Sequence, residues 1–197
     1  MSNGYVNPWW QAMLLPDKWD ICGIEVFTLS VWHLYTLENL NNPYIVEGIQ
    51  DRDAAANLLL ICQRDYSGGR ELYLSHRVRL KALAKIHKSI LPLKFAELDN
   101  ACTDYIRACT RTPEHKRPVS GSGGKLMSAP PQWHIVSFLC RKYHKTETEA
   151  WNTPYVRAQC AHDVWRESIG DETLVNPSLQ RRNDESEEKK ILGMEKK

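Results

Sequence analysis

The chain has 197 residues, 42% of them hydrophobic, and a formal net charge of +2. That length suits one ordinary domain or two small ones, and that apolar content excludes wholesale disorder. The near-neutral total hides an acidic front, with two basic and seven acidic side chains over residues 1–63, and a basic middle, with eight basic and two acidic over residues 64–94; such a dipolar chain more often neutralises itself than advertises a polyanion partner.

Residues 1–16 are aromatic and proline-marked, with Trp9 and Trp10 adjacent. Tryptophan is mostly buried but also enriched at interaction surfaces, so this pair packs onto the core or docks a partner. Residues 24–27 carry the one short strand signal. Residues 28–42 read as a capped helix, with Thr28 or Ser30 accepting from free backbone N–H groups of the first turn. Leu29, His33, Leu37 and Leu40 follow at spacings of four, four and three, which sets them on one side. Asn41 and Asn42 then supply a stop, and Pro43 cannot continue a helix. His33 on that apolar face is expected to be a buried, hydrogen-bonded core group rather than a catalytic one.

Residues 51–62 open with acids suited to a helix N-terminus and continue into an all-apolar run, as a central helix does. Ser67-Gly68-Gly69 reads as a turn. Residues 70–91 read as one long helix, with Tyr73, His76, Leu80, Leu83, Ala84, His87 and Leu91 on one face and Arg77, Lys81, Lys85 and Lys88 on another; Pro92 ends it. Residues 96–110 place Leu98, Cys102, Tyr105, Ile106 and Cys109 on one face.

Residues 111–131 are rich in Pro, Gly, Ser and charge, which marks a flexible linker and a candidate domain boundary. Residues 132–170 are small and aromatic. A helix over 133–143 carries Ile135, Val136, Phe138 and Leu139, and Thr146 with Glu149 forms a capping box. Thr153-Pro154 restarts a helix with Ala158, Ala161, Val164, Trp165, Ser168 and Ile169 on one face, closed at Gly170. A unit this small buries little area, so it is expected to lean on the first block or on a partner. Residues 176–197 are charged and low in apolar content, as a disordered or frayed segment is. The expected fold is all-α: an irregular helical bundle over 1–110, the linker, a small helical subdomain over 132–175, and the charged tail.

No nucleophile elbow, phosphate loop, dinucleotide fingerprint or HExxH motif is present, so no enzyme activity and no cofactor are expected. Cys140 and His144 are four apart, but zinc sites usually use tighter pairs, and no metal site is expected. Six cysteines without a C-x-x-C pair, no secretory leader and no apolar run near the ~18 residues of a spanning helix point to free thiols in a reducing compartment, with no membrane partner. The stripe on residues 77–88 could track phosphates, and residues 132–170 have helix-turn-helix lengths with Arg157 and Arg166 on the last helix. Yet that block holds five Lys/Arg against four Asp/Glu, a small electrostatic footprint, so nucleic acid is not the expected partner.

The helix over 28–42, with His33 in Leu-rich turns and Pro43-Tyr44 after it, resembles the opening of the tail assembly chaperones of tailed phages, encoded beside the tape-measure gene. Trp133-His-Ile-Val-Ser-Phe138, Ala150-Trp-Asn-Thr-Pro-Tyr155 and Trp165-Arg-Glu-Ser-Ile-Gly-Asp171 look like the C-terminal helices of such proteins. The likeness is diffuse over residues 20–175, and the long Gly/Ser linker departs from shorter members. It implies an all-helical, non-enzymatic protein of the host cell cytoplasm that binds the tape-measure or another virion assembly protein, with oligomeric state left open. Apolar and aromatic anchors fit such a partner: Trp9 and Trp10 first, Trp133 and Trp151 second. The rival readings are a structural virion or connector component and a helix-turn-helix DNA-binding regulator using residues 132–170.

Overall fold

The computed structural model describes residues 12–112 and 129–169. Trp9, Trp10, most of the expected linker, Gly170 and the charged segment 176–197 lie outside the described residues. The described fold is mostly helical, with one two-stranded antiparallel sheet. Strand β1 (Lys18–Ile21) pairs with β2 (Ile24–Phe27) in the register Lys18↔Phe27 to Ile21↔Ile24. Cys22 and Gly23 make the turn with φ of 53° and 83°, the left-handed pair whose twist matches that of the flanking strands. The strand at 24–27 is where the sequence placed it. Its partner was missed because Lys18-Trp19-Asp20-Ile21 is too short and mixed to signal a strand alone.

Eight helices follow among the described residues: α1 (Val31–Asn39), α2 (Arg52–Cys62), α3 (Tyr66–Leu74), α4 (His76–Ile90), α5 (Phe95–Thr110), α6 (Pro131–Tyr143), α7 (Glu147–Asn152) and α8 (Tyr155–Ser168). Their caps are mostly local side chains. Asp51 accepts from Ala54 N–H, and Thr146 and Glu149 exchange bonds with each other's backbone, satisfying donors that the first turn leaves open. Helix α1 ends earlier than expected. Asn41 takes φ of 49°, a conformation Asn tolerates, and the buried Asn42 side chain bonds Ala54 O and Tyr44 N.

The single long helix expected over 70–91 is two helices. Asp65 caps α3 by accepting from Gly68 N–H, so Ser67-Gly68-Gly69 is a first helical turn and not a loop. Gly69 is needed there because a methyl at that position would lie inside the ring of Trp32. Ser75 then ends α3 and caps α4 through Val78 N–H. At the other end, the Arg52 guanidinium donates to Ile90 O at 2.8 Å and Leu93 O at 2.7 Å, a cation on the negative end of α4.

Helix α1 packs on α2 and also on α6, α7 and α8; α3 packs on α4 and α7, α5 on α8, and the hairpin on α2 and α5. One hydrophobic cluster therefore takes Leu37, Leu59, Ile61, Ile90, Leu98 and Tyr105 from before the linker and Ile135, Leu139, Trp151 and Ala158 from after it. The buried face of α5 is the expected one. That of α8 is so in part: Ala158, Ala161 and Trp165 of the expected face join the core, whereas Val164 and Ile169 are exposed. A second side of α8 is covered too, where Val156 and Cys160 pack against Ala12 and Leu15. Burial pushes the thiols of Cys102 and Cys109 up to about 12, and that of Cys62 higher still, which leaves them as inert packing groups.

Because the segments on either side of the linker share this cluster, residues 1–112 expressed alone should lack a cooperative thermal transition. A chain cut between residues 113 and 128 should elute as one complex. Size-exclusion chromatography of the cut protein and near-ultraviolet circular dichroism of the fragment check this. A fragment as stable as the whole chain would restore the two-domain picture expected from the linker.

Candidate partner-binding groove

Two concavities bear on function. The first, about 320 Å³, is lined by Asp17, Phe27, Thr28, Ser30, His33, Asp65, Asn152, Pro154 and Arg157. It gathers a serine, a histidine and an aspartate, the residue types of a nucleophilic triad. Their geometry is that of helix caps. His33 is 1% exposed, and its Nδ1 accepts from Ser30 N–H at 3.0 Å. Nε2 must then carry the proton, and it donates to Arg64 O at 2.6 Å. Ser30 Oγ accepts from His33 N–H. The imidazole keeps no lone pair for the serine hydroxyl, and Asp65 caps α3. Burial lowers the His33 pKa to about 4, against the opposing pull of the Arg64 and Thr28 carbonyls and the Asp65 carboxylate. The ring stays neutral, as the bond from Ser30 N–H requires.

The polar wall of this concavity ties the segments together. Val31 N–H donates to Thr153 O at 3.1 Å, Tyr155 N–H to Leu29 O at 2.8 Å, and Tyr66 N–H to Asn152 Oδ1 at 2.7 Å. Arg157 donates to Ala12 O and Leu15 O. It is thus engaged with the chain's own backbone rather than presented to a phosphate.

The second concavity, also about 320 Å³, is an open groove between α1 and α3. Trp32, Tyr35, Thr36, Asn39 and Leu40 form one side, and Arg70 and Tyr73 the other. Behind it lies a stack of rings. Tyr66 stacks on Trp151 at 5.8 Å and 16°, and Tyr35 and Trp133 reach Trp151 at 5.5 and 5.2 Å. Trp32 meets Tyr66 edge-on at 6.5 Å. Such contacts hold the wall rigid beyond what burial alone does. Of the lining residues Leu40 is 40% and Tyr73 36% exposed. Arg70 lies over Tyr66 and Arg79 over Tyr73, at 5.8 and 5.6 Å.

The sequence-derived anchors separate here. Trp133 is half-exposed against Tyr35, a groove-lining ring. Trp151 is 2% exposed, with its indole N–H on Glu147; it is the wall's centre and not a surface anchor, because three aromatic rings converge on it. Tyr35, Tyr73 and Arg70 were not singled out, since nothing local in the sequence shows that α1 and α3 face each other across a groove. Among the described residues no group of three or more His, Cys, Asp or Glu is arranged to hold a metal ion. His144 leaves the helix of Cys140 with φ of 52°, so the two do not share a helical face. No described helix is long and apolar enough to cross a membrane. No family model, curated protein or solved structure matches the chain.

His33→Ala should cost about 2–4 kcal/mol, because it opens a cavity and leaves Ser30 N–H and Arg64 O buried without partners. His33→Gln can still accept and donate, and should cost less. Since the folded pKa lies below the ordinary 6.5, the unfolded chain takes up the proton first as pH falls. Stability held above pH 6.5 should therefore be lost towards pH 4, by about 3 kcal/mol from this residue. Urea unfolding across that range checks it, and the His33→Gln variant should lack this component. Gly69→Ala should push Trp32 out of place at a cost of about 1–3 kcal/mol, read as a changed melting point and tryptophan emission.

Proposed function

We propose that the protein is a tail assembly chaperone of the phage type: it holds an apolar helical segment of the tape-measure or another virion assembly protein, in the host cell cytoplasm, without chemistry or cofactor of its own. The observation that carries this reading is the α1–α3 groove. It is open, apolar-lined, backed by stacked aromatic rings and edged by the partly exposed Tyr73 and Leu40. An amphipathic helix lays its apolar face into such a groove, and large rings supply most of the energy at interfaces of that kind. The resemblance of the α1 region and of residues 133–171 to the chaperones supplies the choice of partner. A structural virion or connector component would use the same groove and remain in the particle. The regulator reading has less support, since α8 is packed against α1, α5 and α6 and Arg157 is engaged with backbone carbonyls.

Co-expression with the tape-measure protein of the same genome should raise that protein's soluble yield. Tyr73→Ala and Trp133→Ala should each weaken the complex about tenfold or more while the far-ultraviolet spectrum stays helical. The protein should be absent from purified particles. Binding to duplex DNA that falls about a thousandfold between low and moderate salt, with no effect on tape-measure solubility, would replace this reading with the regulator. Retention in the particle would replace it with the virion component.

A further inference from the structure

Helix α4 holds Arg77, Arg79, Lys81, Lys85 and Lys88 and no acidic residue. Only Ile86 and Ile90 of this helix are buried, so it is held along one edge by α2 and α3 and exposes most of its surface. Arg77, Lys81, Lys85 and Lys88 are exposed, and none of them pairs with a carboxylate among the described residues. These four share one side of α4, and Arg79 lies on the opposite side, about half a turn round the helix. Arg79 of α4 sits over Tyr73, a groove-lining ring, and Arg70 lines the groove itself. The residues lining the groove include no carboxylate. Of the two on its helices, Glu38 accepts from Gln132 and Glu71 lies outside the lining.

The cations are interleaved with exposed apolar side chains: Leu74 at 83%, Val78 at 51% and Leu80 at 50%. A phosphate backbone would use the charges and leave these side chains in water. A helix that alternates carboxylates with apolar residues would use Arg70 and Arg79 together with the apolar lining of the groove. From Trp32 to Leu40 the groove follows α1 for about 12 Å, or roughly two turns of a docked helix.

We infer that the occupant of the groove is an acidic amphipathic helix, with apolar anchors at i, i+4 and i+7 in the groove and flanking Asp or Glu side chains meeting Arg70 and Arg79. The inference rests on the reading of the groove as a helix-binding site and adds the partner's charge. Rim charges of this kind set orientation and select against wrong partners more than they add affinity.

The test is a set of labelled amphipathic peptides, about 18 residues long, that share one apolar stripe and carry Glu, Gln or Lys on the flanks. Each is titrated into the full-length protein and followed by fluorescence anisotropy. The Glu peptide should bind about tenfold tighter than the Lys peptide, with the Gln peptide between. Arg70→Glu combined with Arg79→Glu should remove or reverse that order. Arg70→Gln, at an exposed position, is the milder variant and should narrow it. Equal binding of all three peptides, still weakened by Tyr73→Ala, would overturn the charge inference and leave the groove standing. No binding of any peptide would overturn the groove reading itself. Tighter binding to duplex DNA, or to phosphatidylserine vesicles, than to the Glu peptide, lost in the Arg70→Glu, Arg79→Glu variant, would overturn the inference by reassigning those two arginines.

Discussion

Helix N-termini carry N–H groups that need acceptors, and in this protein three of them are satisfied from across the linker. The junction between α7 and α8 gives Asn152 Oδ1 to Tyr66 at the start of α3 and Thr153 O to Val31 at the start of α1. It takes Leu29 O for Tyr155 at the start of α8. Without this junction the N–H groups of Val31 and Tyr66 at the starts of α1 and α3 lose their acceptors, and an unpaired N–H in the interior costs about 1–3 kcal/mol. His33 completes the arrangement. It holds Ser30 N–H with one nitrogen and the Arg64 carbonyl with the other, so the position of α3 relative to α1 is set within the same cluster of bonds.

The groove is a consequence of that spacing. Trp32 and Tyr35 point from α1 towards α3. Gly69 lets α3 come close at Trp32, and further along Tyr73 and Arg70 stand opposite Tyr35 and Leu40. Trp151, delivered by α7, fills the space behind and is stacked on Tyr66. The most buried ring of the cluster thus comes from after the linker, and the surface it supports comes from before it. Electrostatics adds an asymmetry. The acidic front of the chain is folded into the hairpin, α1 and the start of α2, whereas the basic middle becomes α4, which leaves Arg77, Lys81, Lys85 and Lys88 in water.

Much of this was legible in the sequence wherever one helix turn decides the outcome. The caps at Asp51 and at Thr146 with Glu149, the buried face of α5, the apolar run of α2 and the strand at 24–27 follow from local hydrogen bonding and side-chain periodicity. The burial of His33 was legible too, from its leucine neighbours. What was missed lies at tertiary contacts. Ser67-Gly68-Gly69 has turn composition, yet Asp65 caps it as a helix and Trp32 demands the glycine. Trp151 looked like a docking anchor because composition cannot tell an interface ring from a core ring. The second buried side of α8 was missed because it is made by Ala12 and Leu15, more than 140 residues upstream of their partners.

By itself, then, the sequence determined the helical class, the caps at Ser30, Asp51 and Thr146 and the separation of charge along the chain, since each depends on residues within a turn or two of one another. Only the tertiary structure decided that the segments flanking the linker share one core, that α3 and α4 are separate, and that a groove opens between α1 and α3. Those features depend on backbone donors and rings meeting across tens of residues, and no local pattern records which distant carbonyl or ring will be there.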